Sequence, residues 1–158
     1  MKKSYLFQFV SVVVALMGFV VMGISVKPAS AAPATGPFLA YVSGTVSITG
    51  EASFALSGLS VSSRMGASMN YQANGTFTSP TTDILIETLT AANGDTLTIR
   101  CAQVLQEISP NVFRGTDTWT VIGGTGRFSG ATGSGTGETI ANLNTGTFTK
   151  QMIGNINY

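Results

Sequence analysis

The chain has no histidine and a single cysteine, Cys101, in 158 residues. Without histidine there is no Ser-His-Asp or Cys-His pairing, no imidazole acid–base catalyst and no Cys/His zinc site. One cysteine allows no intramolecular disulfide. Charge is scarce as well: only 9% of residues are Asp, Glu, Lys or Arg, and 8 cations against 7 anions give a net +1. So small a basic excess lacks the electrostatic footprint of a nucleic-acid binder. The chain is instead apolar, with 44% hydrophobic residues, which excludes the sparse-core composition of a disordered protein. The length suits one domain.

The start of the chain reads as a secretory signal. Lys2 and Lys3 precede an apolar run from Tyr5 to Val26, and Ala29-Ser30-Ala31 supplies a small-x-small cleavage site. Cleavage is expected after Ala31, since cutting after Ala32 would leave Pro33 first. No cysteine follows the run, so a lipoprotein anchor is excluded. A run of about 22 positions could also span a bilayer, which makes an uncleaved anchor the rival reading. Its polar interruptions at Gln8, Ser11 and Ser25, together with Pro28, favour cleavage. The expected product is secreted or periplasmic and free of the membrane. It would carry five cations against seven anions, a net −2.

Residues 32–38 are expected to form a short linker and 39–158 a single β domain. From Leu39 onward β-branched and aromatic residues alternate with polar ones and are punctuated by Gly and Asn, with no sustained helical spacing. Opening strands are expected around Leu39–Thr49, Ala52–Leu56 and Gly66–Phe77. The clearest hairpin runs from Asp83 to Gln106 around Ala92-Asn93-Gly94-Asp95, where Asn-Gly suggests a type I′ turn. A second runs from Phe113 to about Asn142, and a last strand from Gly146 to Tyr158 has Phe148, Met152, Ile156 and Tyr158 on one side. Seven or eight short strands fit a sandwich or an up-and-down barrel. Closure is favoured, because strands rich in Thr, Ser and Gly carry little Lys or Pro to protect an open edge. Cys101 falls among alternating strand residues and reads as a buried thiol more readily than as an intermolecular bridge.

The glycine-rich stretch Gly123-Gly124-Thr125-Gly126-Arg127-Phe128-Ser129-Gly130-Ala131-Thr132-Gly133 is the most distinctive in the chain. It has no Gly-Lys-Ser/Thr and no following helix, so it is not a phosphate loop or a dinucleotide fingerprint. Gly123, Gly124 and Gly126 read as a structural turn, Arg127 as an arginine bonding turn carbonyls, and Phe128 as a core anchor. This stretch resembles the Gly-Gly-Thr-Gly-Lys/Arg-Phe signature of the allene oxide cyclase/dirigent barrel superfamily. It is closest to secreted bacterial proteins with an allene oxide cyclase-like barrel, in which an Ala-Asn-Gly-Asp hairpin and a terminal Gly-x-Ile-x-Tyr strand also occur. Here those would be Ala92–Asp95 and Gly154–Tyr158.

The resemblance implies an all-β, eight-stranded antiparallel up-and-down barrel of calycin-like form. In plant relatives the lumen guides ring closure or radical coupling of a small molecule, and the subunits form dimers or trimers. It implies no metal and no nucleotide cofactor, a small apolar ligand as the partner, and a possible homo-oligomer. It does not carry a catalytic pattern onto this chain residue by residue. The candidate acid–base groups are therefore chosen by phase. Glu87 is in step with Leu85 and Leu89, and Asp117 with Trp119 and Val121. If those faces line the lumen, both carboxylates are desolvated and their pKa values rise. Alternatively they face solvent, or pair with Arg100 or Arg114 on neighbouring strands. Trp119 and Arg100 are the candidate ligand contacts. A non-catalytic envelope or extracellular structural protein with a packed lumen is the rival function.

Overall fold

A computed structural model describes residues 36–158; the expected signal segment 1–31 and the expected linker residues 32–35 lie outside the described residues. Eight strands follow in order: β1 (Gly36–Gly50), β2 (Ser53–Ser62), β3 (Gly66–Ser79), β4 (Thr82–Thr90), β5 (Thr96–Ser109), β6 (Val112–Gly124), β7 (Thr132–Asn142) and β8 (Thr147–Asn157). Each pairs antiparallel with its chain neighbour, and β8 pairs back onto β1. The sheet therefore closes into an eight-stranded up-and-down barrel with no free edge.

Alternation sets which residues face inward, because side chains on a strand point to opposite faces in turn. On β5, Leu97, Ile99, Cys101 and Gln103 are buried; on β6, Asp117, Trp119 and Val121 are. The outward positions are mostly Thr and Ser, though Tyr41, Leu59, Val61 and Ile153 are each more than half exposed.

Three local expectations are corrected. Residues 36–38 are strand, not linker: they pair with β8, and Phe38 is buried with its ring edge-on to Trp119 at 5.6 Å. Pro37 fits because β1 is paired only on its β8 side there, the β2 ladder beginning at Ala40. The second strand runs on to Ser62, past its expected end at Leu56. In the β4–β5 turn only Gly94 has positive φ, at 87°, so the turn is not type I′. Gly94 N–H donates to the Ala91 carbonyl and Ala91 N–H to the Asp95 carbonyl, matching the longer hairpin loop with one left-handed glycine.

The two ends of the barrel differ. At one end the 125–131 connection folds inward through a 3-10 turn, Gly126–Phe128, and Phe128 is fully buried against Tyr158. Arg127 donates from Nη2 to the Met65 carbonyl at 2.6 Å, bracing the β2–β3 turn rather than its own. Asp95 accepts from the Arg127 backbone N–H at 3.1 Å and from Asn93 Nδ2 at 2.8 Å. The Ala-Asn-Gly-Asp hairpin and the Gly-Gly-Thr-Gly turn are thus one built corner. At the other end, the turns at 51–52, 80–81, 110–111 and 143–146 surround an open mouth.

Candidate functional site

Four side chains from four strands meet in the middle of the lumen: Glu87 (β4), Cys101 (β5), Asp117 (β6) and Lys150 (β8). Lys150 Nζ donates to Glu87 Oε1 at 2.5 Å and lies 3.0 Å from Asp117 Oδ2, an ion-pair contact not aligned as a hydrogen bond. All three charged side chains are completely shielded from solvent. Cys101 Sγ is 3.5 Å from the same ammonium.

Glycine on β7 makes this arrangement possible. A Cβ at Gly137, which is paired with Asp117, would sit 2.7 Å from Asp117 Oδ1. A Cβ at Gly135 or Gly154 would fall 2.5 Å from the Trp119 indole. Gly137 thus leaves room for Asp117, and Gly135 and Gly154 leave room for Trp119 and for the facing backbone. Trp119 Nε1–H donates to the Thr136 carbonyl at 3.0 Å, so the indole is satisfied as well as packed.

Burial alone would lower the Lys150 pKa, but Glu87, Cys101 and Asp117 outweigh it and hold the group protonated. It is an ion-pair cation, not an amine nucleophile. Burial raises the Asp117 carboxyl, with Lys150 opposing. Burial also raises the Cys101 thiol and the Tyr71 hydroxyl, with Glu87 next in effect. Both stay protonated.

Glu87 and Asp117 therefore do face the lumen, and their partner is Lys150 rather than Arg100 or Arg114. Two expectations for this site are corrected. Arg100 lies on the outward face of β5, out of phase with Ile99 and Cys101, and cannot be a lumen contact. Trp119 is interior but packed between Phe38 and the β7–β8 glycines, away from the open cavity. Arg114 pairs on the outside with Glu138 at 3.8 Å. Of the expected turn residues, Gly126, Arg127 and Phe128 form the 3-10 turn, whereas Gly123 and Gly124 end strand β6 and Arg127 bonds the Met65 carbonyl of another turn. Gly126 has the positive φ, 56°, whereas Gly124 is required by close approach to the Phe128 and Thr96 carbonyls.

Above the ion cluster the lumen opens into a cavity of about 420 Å³. Its walls include Val46, Phe54, Leu56, Phe77, Leu105 and Phe113, and its polar groups include Asp83, Gln103 and Thr139. Asp83 on β4 and Gln103 on β5 are cross-strand partners, 2% and 5% exposed. Among the described residues, both Asp83 oxygens, Gln103 Nε2 and Thr139 Oγ1 have no hydrogen-bond partner. Burial pushes the Asp83 carboxyl up to about 7; Lys150 opposes this, and Asp117 and Glu87 add to it. Such unpartnered buried groups are uncommon in folded proteins.

The sequence reading missed Lys150 and Asp83. Only the strand phase of each was written in the sequence, not its partner or lack of one. Lys150 is in step with Phe148 and Met152, and Asp83 with Leu85 and Glu87. Searches of family models, curated proteins and solved structures return no match to this chain.

Proposed function

We propose that this chain is an exported β-barrel that binds a small, largely apolar molecule in its lumen, akin to the allene oxide cyclase-like barrels it resembles. The observation that carries the reading is the mouth cavity. Its volume lies in the range of small-molecule sites, its walls are largely apolar, and Asp83, Gln103 and Thr139 bring to it buried polar atoms that have no partner among the described residues. Such a pocket binds through its walls and orients a ligand through its polar floor. The Glu87–Lys150–Asp117 cluster beneath acts in this reading as the rigid, charged base of the pocket.

Native mass spectrometry of the protein purified without detergent from its own host tests the proposal. A co-purified small molecule is expected, and it should be lost in Ala141→Trp, which fills the cavity wall. Bare protein, with a melting temperature unmoved by lipophilic additives, would favour the packed structural barrel instead. The intact mass from the same measurement should begin at Ala32; retention of residues 1–31 would establish an anchored form.

A further inference from the structure

The buried charges of the lumen do not balance. Three carboxylates, Asp83, Glu87 and Asp117, are buried there with one cation, Lys150. Lys150 is taken up by Glu87 and Asp117. Asp83 lines the cavity, and neither of its two buried oxygens has a hydrogen-bond partner among the described residues. The charged side chains lining that cavity are Asp83 and, at the rim, Glu51; both are acids. Three phenylalanines, Phe54, Phe77 and Phe113, contribute to its walls.

We infer that the lumen ligand is a lipophilic amine, its ammonium paired with Asp83 and its apolar body held against the phenylalanine walls. The inference rests on the lumen-binding reading above and specifies the ligand class. A buried carboxylate without a partner is costly, and an incoming cation relieves that cost where a neutral molecule does not. Gln103, the cross-strand partner of Asp83, and Thr139 line the same cavity with oxygens able to accept further ammonium protons, and aromatic faces favour an organic cation further. A metal ion is a poorer occupant: among the described residues no group of three His, Cys, Asp or Glu side chains is arranged to hold one. An anionic ligand such as a fatty acid would meet Asp83 and Glu51 with like charge.

Pairing with an ammonium favours ionised Asp83. Near pH 6, where much of Asp83 is protonated, binding should therefore release a proton; above pH 8 it should not. The other charges that act on Asp83, from Glu87, Asp117 and Lys150, stay committed to one another throughout.

Titration calorimetry with octylamine, octan-1-ol and octanoate, each below its aggregation concentration, tests this at pH 8. Octylamine should bind at least tenfold more tightly than octanol, and octanoate most weakly. Asp83→Asn should remove the amine preference and leave octanol binding intact. At pH 6, heats in buffers of different ionisation enthalpy should reveal proton release with octylamine alone. Equal binding of octylamine and octanol to the wild-type protein overturns the inference while leaving the lumen reading standing, and needs no variant to fold. An amine preference that survives in Asp83→Asn overturns it too. Binding of none of the three overturns both.

Discussion

The carboxylate of Asp117 occupies the space left by the missing side chain of Gly137, its partner across the β6–β7 ladder. The relationship makes a glycine part of an ion pair. Any side chain at Gly137 would push Asp117 off Lys150 or the two strands apart. Gly137→Ala should therefore destabilise the barrel by about 1–3 kcal/mol, the usual range for overpacking. Gly123→Ala is the control, because nothing lies within 4 Å of a Cβ there. It should stay within about 0.5 kcal/mol of the parent. Urea denaturation of both variants decides; equal midpoints would show that Gly137 is not a space-maker.

Removing the central cation should cost more. Lys150→Met leaves Glu87 and Asp117 buried without their counter-charge, and breaking a buried pair from one side typically costs about 3–5 kcal/mol. The loss should depend on pH in a definite sense. Lys150 opposes the burial that raises the Asp117 carboxyl, so without it Asp117 is raised further, and the penalty appears as pH rises through its folded value. The gap between variant and parent should thus be small near pH 4 and full at pH 8. A gap independent of pH would mean that Lys150 acts through packing alone.

The barrel was legible because its evidence is local. Alternation along each strand and glycines at the turns are written in adjacent residues, and the inward phase of Glu87, Asp117 and Trp119 follows from the same count. Lys150 was not legible because lysine ordinarily faces water. What holds it inside is two carboxylates 63 and 33 positions away in the chain, brought together only by closure of the sheet. Asp83 escaped for the opposite reason: its significance is the absence of a partner, which no sequence pattern records. Arg100 was misassigned by residue type, against the alternation of its own strand.

The closed end offers a separate test. At Gly124 a Cβ would lie 2.4 Å from the Phe128 carbonyl oxygen and 2.9 Å from that of Thr96, backbone atoms that cannot swing aside. Gly124→Val should lose about 1–3 kcal/mol for that reason. Phe128→Ala empties a site at 0% exposure and should lose roughly 3–5 kcal/mol. Thermal melts that match the parent in both variants would remove this corner from the account of stability.

Asp83 gives the sharpest pH dependence in the ligand-free protein. Its folded pKa is about 7 against 3.8 for the free side chain. The group is raised, so its contribution is fully present below the unfolded value and is lost as pH rises through the folded one. The parent should therefore lose stability between about pH 4 and pH 7 as folding comes to require an ionised, unpartnered carboxylate. At about 1.36 kcal/mol per pH unit the loss is bounded near 4 kcal/mol. Asp83→Asn keeps the shape without the charge, so it should match the parent near pH 4 and exceed it at pH 8. Chemical denaturation of both proteins at the two pH values reads this directly. A variant less stable than the parent at pH 8 would mean that ionised Asp83 is already compensated in the empty lumen.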